Sequence, residues 1–257
     1  MSTAWWKQYY DGFVADSELT ANTDEEKIAR QKEVDFIISR LRLRGRDAIF
    51  DQCCGVGRIA IPLAERGLRV HGVDLIATYI ARATVAARER GLDCHFTAAD
   101  AFDFVPDEPC DGAINWFTSF GAHRDDAENR KMLDRAFEAL KPGGRLALDY
   151  VSVPKFLQHL GNYNIVRRPA ENGKEILILG EMMLDFYAGM FGTECTYVYP
   201  DGRQEVRHVE HRMLMPHELV RLFESTGFQS VELFGSTDGE AVSRTSPRCI
   251  VVGQRPM

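Results

Sequence analysis

Apolar and polar positions follow two different periods along this chain. Between residues 24 and 41, apolar side chains recur every three or four positions and predict an amphipathic helix. From residue 48 onward, short β-rich runs alternate with helical ones. The predicted strands are Ala48–Cys53, Arg69–Asp74, Asp93–Ala98, Asp111–Phe117 and Arg145–Val151, and the predicted helices between them are Ile59–Arg66, Ile76–Arg90 and Asp125–Leu140. Such alternation predicts a parallel sheet that helices cover on both faces.

The pattern changes after Tyr163. Turn signals at Asn172-Gly173, Ala188-Gly189 and Asp201-Gly202 separate short β-rich runs and predict an antiparallel meander of about four strands. These runs are Glu175–Gly180, Met182–Phe186, Glu194–Tyr199 and Val206–Arg212. A helix is then expected from Pro216 to Gly227, followed by strands Phe228–Phe234 and Cys249–Val252.

Together these elements predict an α/β fold. We expect a mostly parallel seven-stranded sheet with helices on both faces, an antiparallel β-meander insertion and an N-terminal helical segment. The chain, 1–257, is expected to be a single domain, because 257 residues with 45% hydrophobic content suit one core with an added lobe. Its predicted parts are a helical lid at 1–45, a cofactor-binding core at 46–160, the β insertion at 163–215 and a C-terminal part at 216–257.

Charge and cysteine usage narrow the possible partners. The net charge is −7, from 31 basic and 38 acidic residues, and no long basic run occurs, so we expect no nucleic-acid partner. No stretch of about 18 apolar residues predicts a membrane span, and residues 1–10 do not resemble a signal peptide. The six cysteines are scattered without a C-x-x-C pair, which favours a reducing cytoplasm over a disulfide framework or a zinc site.

The sharpest local signal is a glycine-rich turn where the first predicted strand meets a helix. It reads Asp51-Gln52-Cys53-Cys54-Gly55-Val56-Gly57-Arg58. Glycines let the backbone approach a ligand, and a helix N-terminus offers free N–H groups. Alone, the turn fits any α/β protein. Asp74, however, ends the second strand about 20 positions later, where a carboxylate suits a ribose diol.

With these residues in place, the sequence from about Ile28 onward resembles the class I, Rossmann-like S-adenosylmethionine-dependent methyltransferases. Asp51, Cys53, Gly55 and Gly57 match the first motif of that family, with cysteine where glycine is common. The stretch Asp100-Ala101-Phe102 matches its adenine-binding motif, and Lys141-Pro142-Gly143-Gly144 precedes the fifth strand as in the family.

The resemblance implies S-adenosylmethionine as cofactor, S-adenosylhomocysteine as product, and no metal. The cofactor-binding residues that it implies are Tyr10, Asp51, Cys53, Gly55, Gly57, Arg58, Asp74, Leu75, Asp100, Ala101, Phe102, Asn115 and Trp116. A nicotinamide-dependent dehydrogenase is the competing interpretation. It needs a Tyr-x-x-x-Lys pair and a full G-x-G-x-x-G, and this chain has neither.

The acceptor is expected to be a small molecule. Asn115-Trp116-Phe117-Thr118 differs from the Asn/Asp-Pro-Pro-aromatic motif of methyltransferases that act on DNA bases. The run Phe117–Gly121, with Leu148-Asp149, resembles bacterial N-methyltransferases that tailor antibiotics. We therefore expect methylation of an amine nitrogen of a secondary metabolite. O- or C-methylation of a small aromatic metabolite stays open, as does a cofactor-binding interaction module without catalysis.

Several residues are candidates for the acceptor side of the site. Phe117, Phe120, Tyr150 and His211 are predicted to bind the substrate, and Tyr9 and His123 are candidate catalytic residues. His123 also fits an exposed loop position. His208 and His211 share a strand without a third ligand at metal spacing, which indicates solvent-facing histidines rather than a metal site.

Two segments outside the core have more than one interpretation. The aromatic run from Trp5 to Tyr10 is predicted to cover the cofactor as a lid, with an N-terminal tyrosine near the sulfonium. It also fits a segment that packs on the sheet edge or on another subunit. The β insertion either roofs the acceptor pocket or pairs with a second copy in a homo-oligomer, and both roles are compatible.

Overall fold

The computed structural model describes residues 5–10, 24–158, 164–169 and 175–257. Its helices are α1 (Trp6–Tyr9), α2 (Asp24–Leu41), α3 (Ala60–Glu65), α4 (Ala77–Glu89), α5 (Asp126–Ala139), α6 (Val153–Gln158) and α7 (Pro216–Thr226). Its strands are β1 (Ala48–Gln52), β2 (Arg69–Asp74), β3 (Cys94–Ala98), β4 (Cys110–Asn115), β5 (Leu140–Val151), β6 (Asn164–Pro169), β7 (Glu175–Asp185), β8 (Met190–Val198), β9 (Gln204–Arg212), β10 (Gln229–Phe234) and β11 (Arg248–Gln254).

A seven-stranded sheet forms the centre of the molecule, in the order β10-β11-β5-β4-β1-β2-β3. The neighbours from β5 to β3 pair in parallel, whereas β11 pairs antiparallel with both β5 and β10. The strand order reverses at β1, which lies between β4 and β2. In open α/β sheets, a crevice for ligands forms at the carboxyl ends of the strands beside such a reversal.

Alternate residues of the central strands pack into different hydrophobic clusters. Phe50 of β1 and Leu148 of β5 belong to a cluster with α5 and α7, while Ile49 and Ala147 belong to one with α2 and α3. All four side chains are completely buried. The period-2 geometry of a strand sends neighbouring side chains to opposite faces, so helices on both sides bury the sheet. The predicted α/β fold with a mostly parallel seven-stranded sheet is confirmed.

The insertion forms a separate antiparallel sheet in the order β6-β7-β8-β9. It joins the core near the loop after β4, where the backbone N–H of Arg212 donates to the Gly121 carbonyl at 2.7 Å. The Arg212 guanidinium also pairs with Asp126 at the start of α5, at 2.6 Å. The end of β9 is therefore fixed against the carboxyl edge of the large sheet.

The structure corrects several predicted boundaries. Glu175–Gly180 and Met182–Phe186 are not separate strands, because β7 continues through Gly180, where a Cβ would lie 3.2 Å from Thr193 on β8. The additional strand is β6, which precedes the predicted Asn172-Gly173 turn but is not among the predicted runs. β5 begins at Leu140, so the Lys141–Gly144 segment lies within a strand instead of only ending a helix. The predicted turn at Asn172-Gly173 lies outside the described residues.

Within the described parts of the chain, every helix is too short or too polar to cross a membrane.

Candidate functional site

A cleft with about 1100 Å³ of space, including open solvent at its mouth, lies at the carboxyl ends of β1, β2 and β4. Most of the predicted cofactor-binding residues lie on its wall: Tyr10, Asp51, Cys53, Gly55, Arg58, Asp74, Leu75, Asp100, Ala101, Phe102 and Trp116. Phe117 and His211, predicted to bind the substrate, lie there as well. The topology brings these residues together because parallel strands end at one edge of the sheet.

Asp74 fixes the floor of the cleft. Its carboxylate accepts the backbone N–H of Gly55 and that of Ile76, both at 2.9 Å. Burial raises the pKa of Asp74, and these two hydrogen bonds oppose the rise. The carboxylate therefore holds the glycine turn after β1 beside the start of α4.

The glycine turn leaves room for a ligand. Gly55 has a φ of +56°, and a Cβ there would meet no atom within 4 Å. Cys53 adopts a φ of +58°, a conformation that favours glycine, and its side chain faces the same cleft. Burial raises the pKa of the Cys53 thiol well above its usual value, so the thiol is protonated at neutral pH. The cysteine in the glycine position thus narrows the cleft without adding charge.

Asp51 lies beneath the turn with only 2% of its surface exposed. Burial, and then the nearby Asp74 carboxylate, raise the pKa of Asp51 well above its usual value. Buried carboxylates close together resist simultaneous ionisation. A ligand that donates hydrogen bonds would stabilise the ionised form.

The far side of the cleft carries the third-strand motif. Asp100 accepts the backbone N–H of Phe102 at 3.1 Å, which orders the turn after β3. Ala101 is buried, and Phe102 is half-buried on the wall. An apolar slot next to a carboxylate suits a planar ring with an exocyclic amine.

The edge after β4 holds an unusual backbone conformation. Phe117 and Thr118 have φ values of +63° and +56°, which cost non-glycine residues about 1–2 kcal/mol each. Asp149 on β5 holds the turn, because its side chain accepts the N–H of Phe117 at 3.1 Å and its carbonyl accepts that of Thr118 at 3.2 Å. Burial raises the pKa of Asp149 to about 6, and the Arg248 guanidinium at 3.4 Å opposes this.

Arg58 contributes a cation to the wall. Its guanidinium carbon lies 4.8 Å from the centroid of the Phe117 ring. Its Nε atom is buried and has no hydrogen-bond partner among the described residues. A buried donor without a partner indicates a position that a ligand or water satisfies.

The N-terminal aromatic segment lies over the cleft. Trp5, Trp6 and Tyr10 are on its wall. The Trp5 indole Nε1 donates to the Ala122 carbonyl at 3.3 Å, and the ring of Trp5 meets that of His211 edge to face at 5.2 Å. Sequence analysis named Trp5 and Trp6 only as parts of a lid and not as site residues.

His211 is buried and is not the solvent-facing residue that the strand pattern predicted. Only 7% of it is exposed, because α1 packs over this face of β9 and the Phe191 ring stacks on the imidazole at 5.9 Å. Burial lowers the pKa of His211 to about 4, although a ring N–H donates to the backbone of Thr118. A neutral imidazole that donates from one nitrogen is a hydrogen-bond acceptor at the other.

The remaining predicted residues do not lie on the cleft wall. Phe120 and Tyr150 are fully buried, and the Tyr150 hydroxyl donates to the Arg212 carbonyl. Asn115 is buried and donates to Gln52, while Gly57 closes the turn with a φ of +84°. These are core positions, which a strand-end pattern cannot distinguish from wall positions.

Both candidate catalytic residues also lie outside the wall. His123 packs behind it, 4.7 Å from the Trp6 ring and 5.0 Å from the Phe102 ring, and burial lowers the pKa of its imidazole. The Tyr9 hydroxyl forms a hydrogen bond with Tyr197, and burial raises the pKa of Tyr9.

Sequence analysis missed several wall residues. They are Cys54, Val56, Ile59, Ile76, Tyr79, Ser119, Ala122 and Met132. Ser119 and Ala122 belong to the loop after β4, which contains other predicted site residues, so their position in the sequence could have predicted them as wall residues. Tyr79 packs against Val56 across the turn, a contact that only the tertiary structure shows. No group of three or more His, Cys, Asp or Glu residues in the described ranges could hold a metal ion.

The buried His211 predicts a loss of stability in acid. Its pKa is about 4 in the folded chain and ~6.5 when unfolded, so the unfolded chain binds a proton that the folded chain excludes. Stability is then fully present above about pH 6.5 and falls as the pH drops towards 4, by roughly 3 kcal/mol. We expect His211→Gln to flatten this dependence in urea unfolding at pH 4.5 and pH 7. The exposed His217→Gln is the control, and an unchanged slope in His211→Gln would contradict the assignment.

Comparison with known proteins relates part of this chain to a family. Residues 49–144 match the family described as a methyltransferase domain. An S-adenosyl-L-methionine-dependent Diels-Alderase from Talaromyces variabilis is 35% identical over 128 residues, which are 48% of this chain and 42% of that protein. This chain therefore matches less than half of that relative's length.

Solved structures share the fold over nearly the whole chain. An S-adenosylmethionine-dependent methyltransferase from Clostridium acetobutylicum has a TM-score of 0.77 at 18% identity and covers 98% of this chain and 99% of its own. A sugar N-methyltransferase from Streptoalloteichus sp. has a TM-score of 0.71 at 22% identity. The match covers 89% of this chain and 87% of that protein. The chain therefore carries a methyltransferase domain at residues 49–144, and its fold is that of solved S-adenosylmethionine-dependent methyltransferases.

Proposed function

We propose that this protein transfers the methyl group of S-adenosylmethionine to an amine nitrogen of a small secondary metabolite. The observation that carries the proposal is the aromatic lining of the cleft, in which the Trp5 ring packs against the neutral imidazole of His211 at 5.2 Å. Trp5, Tyr10, Phe117 and His211 lie there. Ring faces favour the positive charge of a sulfonium and of the ammonium product. A sugar N-methyltransferase with the same fold supports nitrogen as the acceptor atom.

Polar residues of the same cleft fit the cofactor. We assign the ribose diol to Asp74, the adenine amine to Asp100 and the carboxylate end to Arg58. Asp74 and Asp100 present carboxylates to the cleft, and the Arg58 Nε lacks a partner among the described residues. The open space beside Gly55 accommodates the chain between ribose and carboxylate.

Bound in this cleft, the sulfonium supplies an electrophilic methyl group for in-line attack by a nitrogen lone pair. The protein then contributes alignment and exclusion of water. A neutral amine needs no base before attack. The His211 imidazole accepts a hydrogen bond from the N–H of the amine and so directs the lone pair of the amine nitrogen towards the methyl group. We assign supporting roles to His123 and Tyr9, because the first packs behind Trp6 and the second contacts Tyr197.

Transfer of an isotopically labelled methyl group to a metabolite library tests the proposal. The library should pair primary and secondary amines with the corresponding alcohols and phenols. We expect label in an amine, with the new methyl on nitrogen by NMR. Methylation of oxygen or carbon would support the alternative acceptors instead. Cofactor binding without any transfer would support the non-catalytic module.

Asp74→Ala is expected to weaken S-adenosylhomocysteine binding by about 1.5–3 kcal/mol, the usual cost of losing a hydrogen bond to a charged group. Calorimetry on the purified variants measures this. Asp107→Asn, at an exposed position, should bind like the unsubstituted protein. Equal affinity in Asp74→Ala would remove Asp74 from the site, whereas no binding by any variant would contradict the proposed function.

We also propose that the β insertion mediates homo-oligomer formation. Ile165, Leu179, Thr196 and Val206 form one cross-strand row on the outer face of its sheet. Ile165 is 62% exposed and Val206 59%. In a twofold dimer the same surface of each copy is buried against the other, so an apolar row of this kind suits self-association.

Sedimentation velocity tests this proposal. We expect a mass above the 29.1 kDa of one chain, and a return to the monomer in Val206→Asp, because a charge in an apolar interface loses hydration. Val85→Asp is the matched control, since Val85 is 55% exposed on α4. A monomeric unsubstituted protein would contradict the proposal.

A further inference from the structure

The short helix α1 is held along a single face of the insertion sheet. Phe191 and Tyr197 of β8 lie on this face with Arg207 and His211 of β9, because their registers pair Tyr197 with Glu205 and Phe191 with His211. Trp5, just before α1, contacts the His211 ring. Tyr9, its last residue, contacts Tyr197 and Arg207. Each end of the helix is therefore tied to a different part of β9.

Arg207 makes the polar contact at the Tyr9 end. Its Nη1 donates to the Tyr9 carbonyl oxygen at 3.0 Å, across 198 positions in sequence. Its Nε donates to Glu205 at 2.8 Å, and its guanidinium carbon lies 5.0 Å from the Tyr197 ring centroid. Only 8% of Arg207 is exposed. Burial and these contacts give the guanidinium one fixed orientation.

The bond to Tyr9 has a specific physical effect on α1. The last carbonyl groups of a helix lack partners within the helix and carry partial negative charge, so a cation that donates to them stabilises that end. A helix of four residues has little stability of its own. Tertiary contacts, including those with β9, therefore decide whether α1 stays in place.

We propose that Arg207 is a positioning residue that keeps α1 closed over the cofactor cleft and thereby slows ligand release. It acts through the Tyr9 carbonyl, because Tyr10, the next residue, lies on the cleft wall. Without this bond, the Tyr9 end of α1 separates from β9 while Trp5 stays held by Ala122. This inference rests on the proposed cofactor cleft.

Release of S-adenosylhomocysteine, followed by stopped-flow tryptophan fluorescence, tests this role. All three tryptophans of the chain, Trp5, Trp6 and Trp116, line the cleft and report on its occupancy. We expect Arg207→Gln to raise the dissociation rate constant about tenfold, or ~1.4 kcal/mol, with a smaller change in the association rate constant. Arg207→Lys, which keeps a cationic donor, should restore part of the slow release.

Arg203→Gln is the matched control. Arg203 also pairs with Glu205, at 3.6 Å, but its side chain is 58% exposed and it stacks on Tyr199 instead of contacting α1. We expect its release rate to stay within twofold of the unsubstituted protein. If Arg207→Gln does not fold, Glu205→Gln takes its place, because it removes the carboxylate that orients Arg207, and its release should be faster.

Three results would overturn the inference. Release from folded Arg207→Gln, or from folded Glu205→Gln in its place, could stay within twofold of the unsubstituted rate. Arg203→Gln could accelerate release as much as Arg207→Gln does, which would indicate a general effect of charge on the sheet. Failure of the unsubstituted protein to bind S-adenosylhomocysteine would overturn the proposed function and this inference together, and calorimetry distinguishes that case.

Discussion

The hydrogen bonds of the Asp74 carboxylate are the constraint on which the cleft depends. They join the turn after β1 to the start of α4, and so fix two neighbouring crossovers of the sheet to one side chain. The carboxylate is 9% exposed, and burial disfavours its charge. The backbone donors offset part of that cost, and a ribose hydroxyl would offset more. The same group thus shapes the cleft and provides a reason for a ligand to bind there.

Much of the fold followed from the sequence because parallel strands have a simple pattern. All five residues of β1 are buried, its last two, Asp51 and Gln52, included, and the strand ends at the glycine turn. In other places, tertiary packing decides the structure against the local sequence pattern. The turn pattern predicts that a strand ends at Gly180, but Gly180 lies within β7, where close approach of Thr193 leaves little room for a side chain. The strand pattern predicts a solvent-facing His211, because no local pattern shows that α1 covers that face of β9.

The two faces of the insertion sheet differ in what they contact. The inner face presents Tyr197, Arg207 and His211 to α1 and the cleft. The outer face presents Ile165 and Val206 to solvent in the single chain. Because side chains alternate along a strand, one insertion can close a site on one face and bind another copy on the other. The two interpretations of the insertion from sequence are therefore structurally compatible.

Bonds of different kinds hold the two sides of the cleft, and one side therefore opens more easily than the other. On one side, Asp149 holds the left-handed Phe117–Thr118 turn through two backbone N–H groups, and Arg248 stacks on Phe117 at 5.5 Å. Displacing that turn would break hydrogen bonds within the core. On the other side, α1 and the preceding Trp5 are held by ring contacts and by hydrogen bonds to Ala122, Tyr197 and Arg207 outside the large sheet. Opening on the α1 side disturbs fewer core bonds, so the proposed release of ligands would take place there while the strained turn stays in place.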